Sequence, residues 1–185
     1  SAPDSADLLQ AASWSVTDSL PYDSTYLDGK FGAWLEGNAV VTPDGNVADL
    51  LRVDYAPGPE YAALIRLRDS VSFDPFDPEK DFVRMPGGAK KFTVRYDSLS
   101  GRYWSLVNYV TQEWAGKQNP AWVRNTLALS SSPNLQEWTV HRTVLHHPDI
   151  AKHGFQYADW LFDGNDIVLL SRTAYDDNGT GAHNC

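Results

Sequence analysis

The chain has 185 residues, enough for one domain with a real core, and 42% of them are apolar against 21% charged, so it is no disordered tail. Its 15 basic and 24 acidic residues leave a net charge of −9 without any polybasic block, which argues against nucleic acid or an anionic membrane as a partner. No apolar window approaches the ~20 residues needed to span a bilayer, and the single cysteine, Cys185, excludes a disulfide framework or a cysteine-based metal site.

The N-terminal SAPDSADLLQAASW has neither a charged leader nor an apolar run, so it is no signal peptide, and both ends read as cuts in a longer chain. Within it, Ser5–Ala12 is the one predicted helix, with Ser5 as its cap. The rest is short, β-branched and aromatic, divided by Asp28-Gly29, Asp44-Gly45, Ser100-Gly101, Asp163-Gly164 and Asn178-Gly179.

Four hairpins follow in chain order. Gly37–Thr42 turns at Pro43-Asp44-Gly45-Asn46 and returns as Val47–Tyr55. The stretch 56–78 reads as irregular loop, and Val83-Arg84-Met85-Pro86 as a strand-end turn entering Gly87-Gly88. Lys91–Tyr96 pairs with Tyr103–Val110, Thr126–Leu129 with Trp138–Val144, and Tyr157–Phe162 with Ile167–Thr173. The first and last hairpins resemble each other. EGNAVVTPDGNVADLLRVDY (36–55) and QYADWLFDGNDIVLLSRTAY (156–175) share Asp-Gly-Asn at the turn and a late arginine, a repeat at 120-residue spacing in which Asp44 and Asp163 are 119 apart. At roughly 40–50 residues per blade, that rhythm predicts an all-β chain forming part of a β-propeller, about three to four blades of a five- or six-bladed ring. A β-sandwich is the structural alternative. One partial propeller domain would then cover 1–185, with open edges suited to self-association.

The segment RNTLALSSSPNLQEW (124–138) resembles the Asp-box hairpin, Ser-x-Asp-x-Gly-x-x-Trp, of sialidase-type propellers. Ser131 and Trp138 match, while Pro133 stands at the Asp position and Leu135 at the Gly position. The order of elements is similar to the sialidase (BNR-repeat) family over 36–170. Glu36 precedes a hairpin, Arg52 follows 16 residues later, Arg124 opens the strand into the Asp-box, and Tyr157 opens YADWLFDGNDIVLL.

This resemblance implies an exo-sialidase-like glycoside hydrolase acting on terminal sialic acid of glycoconjugates, secreted or periplasmic, with no cofactor and no metal. Arg52 and Arg124 correspond to two of the family's three substrate-binding arginines, whose planar forks suit a sugar carboxylate. Tyr157 corresponds to the nucleophile and Glu36 to its base. A neutral phenol avoids the repulsion that a carboxylate would meet at an anionic sugar, an exception to the two-carboxylate scheme. With a pKa near 10, a phenol needs such a base. Asp159, on the same strand face as Tyr157, is a weaker substitute. The family's first arginine, in an Arg-Ile-Pro motif, and its acid/base Asp would both precede Glu36. The 35 residues there contain no arginine, so both groups are expected in a segment outside this chain.

Two other readings stay open. A five-bladed furanosidase-type propeller would pair carboxylates, with Glu36 and Asp159 as candidates. A non-catalytic carbohydrate-binding propeller would use Trp104, Trp114 or Trp122 against sugar faces, although blade-core packing is the simpler role for them. The histidines His141, His146, His147, His153 and His183 form no metal motif, and 146–149 reads as an exposed loop.

Overall fold

The structure, a computed structural model, describes residues 1–55, 58–177, 179 and 181–182. The predicted Asn178-Gly179 turn and the residues His183 and Cys185 therefore lie wholly or partly outside the described residues.

The chain is all-β. One antiparallel sheet runs in the order β1 (Phe31–Val41), β2 (Val47–Tyr55), β3 (Tyr61–Leu67), β4 (Phe82–Arg84). A second runs β5 (Thr93–Asp97), β6 (Arg102–Asn108), β7 (Thr126–Ser132), β8 (Thr139–His146). A hairpin of β9 (Gly154–Asp163) and β10 (Asp166–Ala174) completes the set. All four predicted hairpins form. Gly45 and Gly164 take the positive φ of 84° and 58° that their tight turns require.

Period-two burial sorts the side chains. On β2, Ala48 and Leu50 face the second sheet and join Val94, Tyr103, Val107 and Ala128 in the main core. Val53, with Leu51 beside it, faces the opposite side, where Phe31 and Ile65 pack with the aromatic rings of Tyr26, Trp34, Phe76 and Phe82. A third cluster, built on Leu106, Leu127, Ala158 and Trp160, seals β9–β10 against the second sheet. The outer face of that hairpin leaves Leu161, Val168 and Leu170 exposed.

Three sequence expectations are corrected. Ser5–Ala12 is not a helix: the Asp7 carboxylate accepts from the Leu9 amide at 3.0 Å, and only a 3-10 turn forms, at Ala11–Ser13. Leu8 and Leu9 are exposed, so no apolar face exists to pack such a helix. The supposed loop 56–78 contains β3, whose Ala62, Ala63, Leu64 and Ile65 are all buried. A strand covered on both faces shows no alternation by which to recognise it. The loop 146–149 is only partly exposed, because His147 stacks on the buried His153 with centroids 3.4 Å apart.

The Asp-box-like turn closes by a different route from the motif. Asn134 Oδ1 accepts from the Gln136 and Glu137 amides at 3.0 and 2.9 Å, tying the loop in place of the missing aspartate. Leu135 takes φ 66° at the glycine position, its side chain is buried in the main core, and its carbonyl accepts from Trp138 Nε1.

The crossing between the two four-stranded sheets, 85–92, runs through Gly87 and Gly88. A Cβ on Gly87 would meet the Val107 Cβ at 2.7 Å, and one on Gly88 the Tyr61 carbonyl oxygen at 2.6 Å. This close approach carries Lys90 inward, where it is 1% exposed. Its ammonium donates to Glu60 and, at 3.0 Å, to the Pro120 carbonyl. Burial pushes the Lys90 pKa down and Glu60 opposes that push. Glu60 also accepts from the Gly87 amide at 2.8 Å. Breaking such a pair strands a buried charge. Lys90→Met is therefore expected to cost about 3–5 kcal/mol in denaturant unfolding, with much of it recovered in the Glu60→Gln, Lys90→Met double variant.

Candidate functional site

Glu36 and Tyr157 both sit in β-bulges. On β1, register passes from Trp34 opposite Val53 to Gly37 opposite Leu51, so Leu35 and Glu36 together face Arg52. On β9 it passes from Gln156 opposite Arg172 to Asp159 opposite Leu170, so Tyr157 and Ala158 together face Ser171. Bulges redirect side chains and concentrate near functional sites. The second is strained: Tyr157 has φ 51°, a left-handed conformation that a bulky residue rarely adopts, and its side chain remains 43% exposed.

Arg52 continues the face begun by Ala48 and Leu50, near the end of β2, and its side chain is largely buried. It donates to Glu36 at 2.5 Å and to the Ala89 carbonyl at 2.9 Å. Burial raises the Glu36 carboxyl, but its own backbone amide, Arg52 and Lys91 outweigh burial and hold it below the usual glutamate range.

Arg124 follows a 3-10 turn at Pro120–Trp122, capped by Asn119, which accepts from the Ala121 amide. The Arg124 residue is 6% exposed. Its Nε donates to the Ala121 carbonyl at 3.0 Å and its Nη1 to Gln156 Oε1. Burial lowers its pKa, and the Tyr157 oxygen beside it pushes back. Among the described residues no carboxylate pairs with it.

The structure thus brings together two pairs, Glu36 with Arg52 and Arg124 with Tyr157. Lys90 feels the charges of both arginines. Glu36 bonds to Arg52, and no bond joins it to Tyr157 among the described residues. Gly37 and Tyr157 nevertheless border one cleft of about 290 Å³, together with Lys91, Thr93, Arg95 and Asp159. The cleft lies where the three sheets meet. Asn38 exchanges side-chain bonds with the Val94 backbone, and the Thr93 hydroxyl donates to the Ala158 carbonyl at 3.2 Å.

Asp159 is not a free base. Burial raises its pKa, but the Trp160 amide and Arg95 together outweigh burial and lower it, and Arg95 pairs with it at 3.2 Å. Trp104 donates to Ser100 and packs beside His141, whereas Trp122 is 58% exposed two residues before Arg124. A larger cleft of about 790 Å³, lined by Gly58, Glu60, Lys117, Gln118 and Pro120, abuts the other side of the Lys90–Glu60 pair.

Sequence reasoning missed Gln156, Arg172, Lys91 and Arg95. The first two had a visible signal, since they occupy the positions of Glu36 and Arg52 in the repeated hairpin. No family model matches the chain, and no curated protein matches it in sequence.

Two outcomes follow from this geometry. Tyr157→Gly is expected to be more stable than Tyr157→Ala by about 1 kcal/mol, because only the alanine retains the left-handed strain; equal unfolding midpoints would contradict it. The depressed Glu36 pKa adds stability that is present at neutral pH and lost as pH falls through the lowered value. The stability gap between wild type and Glu36→Gln should therefore narrow on acidification, as followed by urea unfolding at several pH values.

Proposed function

We propose that this chain supplies part of the fold and half of the active site of an exo-sialidase-like glycosidase. The observation that carries the reading is Arg124. It is a nearly buried guanidinium with only neutral acceptors, next to a strained, accessible tyrosine. A buried cation without a counter-charge calls for an anionic ligand, and a sugar carboxylate fits its fork.

The propeller reading has its own support. Each four-stranded sheet is a simple antiparallel meander, and the first strands β1, β5 and β9 lie side by side through the Asn38–Val94 and Thr93–Ala158 bonds. That is how neighbouring blades present their inner strands to a common axis.

In this reading the Tyr157 oxygen attacks the anomeric carbon as the bond to the aglycone oxygen breaks. The tyrosine proton passes to Glu36, which its neighbours keep ionised and so able to accept it. The leaving oxygen takes a proton from an acid on the segment expected before Glu36. Water then cleaves the tyrosyl–sugar bond and restores the phenol. Arg124 and Arg52 hold the carboxylate while this happens. The furanosidase alternative is weakened because the second carboxylate it needs, Asp159, is paired with Arg95.

The test is a fluorogenic α-sialoside with the full-length protein. Tyr157→Phe should lower turnover by about 10²-fold or more while N-acetylneuraminic acid still binds. Undiminished turnover would remove Tyr157 as nucleophile. A sialoside that is bound and never cut would leave a carbohydrate-binding module instead.

A further inference from the structure

The two similar hairpins carry the same interaction at equivalent places. Glu36 and Arg52 recur as Gln156 and Arg172, each 120 residues later. Arg52 donates to the Glu36 carboxylate at 2.5 Å, and Arg172 donates to Gln156 Oε1 at 2.9 Å. The side-chain bond is repeated although the register differs, Glu36 lying within its bulge and Gln156 pairing directly with Arg172 just before the second one; the counter-charge is not repeated.

This substitution changes what each arginine can do. Arg52 has an internal anion. Arg172 has a neutral amide oxygen, and it shares that oxygen with Arg124. Gln156 is fully buried, and its Nε2 donates to the Ala182 carbonyl, which fixes which end of the amide faces the two arginines. Among the described residues neither Arg124 nor Arg172 forms an ion pair with a carboxylate. Arg172 also lies over the Tyr157 ring, its guanidinium carbon 4.4 Å from the centroid, and so stands at the edge of the same site.

We propose that Arg172 is a second anion-binding guanidinium, paired with Arg124 through Gln156, and that both contact the ligand's carboxylate. Two like charges gathered on one neutral oxygen are relieved when an anion enters between their free N–H groups. Arg52, assigned to the same carboxylate above, shares its charge with Glu36, so Arg124 and Arg172 are the two whose bonds leave them without an internal anion. The identity of the anion as a sialic acid rests on the function proposed above; the pairing of the two arginines rests on the hairpin comparison.

The experiment is calorimetric titration of N-acetylneuraminic acid and of its uncharged methyl ester into wild type, Arg172→Gln, Arg172→Lys and Gln156→Glu. Folding is checked by near-ultraviolet circular dichroism. The acid is expected to bind Arg172→Gln at least tenfold more weakly than wild type, with Arg172→Lys intermediate, while the ester binds these proteins alike. Gln156→Glu retains both arginines but supplies them with an internal carboxylate, and it should lose affinity for the acid to a similar degree. Equal affinity of wild type and Arg172→Gln for the acid would overturn the inference and leave the sialidase reading standing. Equal losses for acid and ester would also overturn it, since a merely structural role predicts that result. A wild type that binds neither compound would overturn both.

Discussion

The buried pair between Lys90 and Glu60 is the constraint on which the site's geometry depends. It joins the start of β3, the crossing between the two large sheets and the loop that leads into Arg124. The same crossing offers the Ala89 carbonyl to Arg52. Arg52, on β2, and Arg124, in the loop before β7, are therefore referenced to one internal cation. Buried ion pairs are weak contributors to net stability, but removing one partner is costly. Such a pair fixes relative position more than it adds free energy, which is the demand placed on a site assembled across a sheet boundary.

Around that anchor, the backbone places the reactive groups. Glu36 and Tyr157 leave the regular ladder at bulges, and the left-handed Tyr157 shows that the surrounding β9–β10 pairing holds it against its own preference. The charges are sorted as well. Glu36, Glu60 and Asp159 each answer a cation, leaving Arg124 and Arg172 as guanidiniums supported by neutral oxygens. An acidic chain with a net charge of −9 thus keeps a local positive site.

Much of the fold was legible because hairpins announce themselves locally. Asp44-Gly45 and Asp163-Gly164, flanked by β-branched runs, located their turns without tertiary information. β3 was not legible, because a strand buried on both faces loses its alternation and sits among prolines and glycines. Asn134 was hidden for another reason: it ties its turn one position away from where the motif places an acid. In the site, Glu36, Arg52, Arg124 and Tyr157 could be nominated by order along the chain, but the partner of each could not. Lys90, in an ordinary Ala-Lys-Lys stretch, has no local mark of burial. It is made a core residue by the glycines before it and by Glu60, 30 residues away.

Glutamate and glutamine have nearly the same shape, and their codons differ by a single base. The paired hairpins therefore lie one mutational step apart in electrostatic character. With a carboxylate facing it the arginine braces its own sheet, and with an amide facing it the arginine is left to recruit a partner from solution. A fold assembled from repeated hairpins can in this way relocate its binding charge from one repeat to another without moving any backbone.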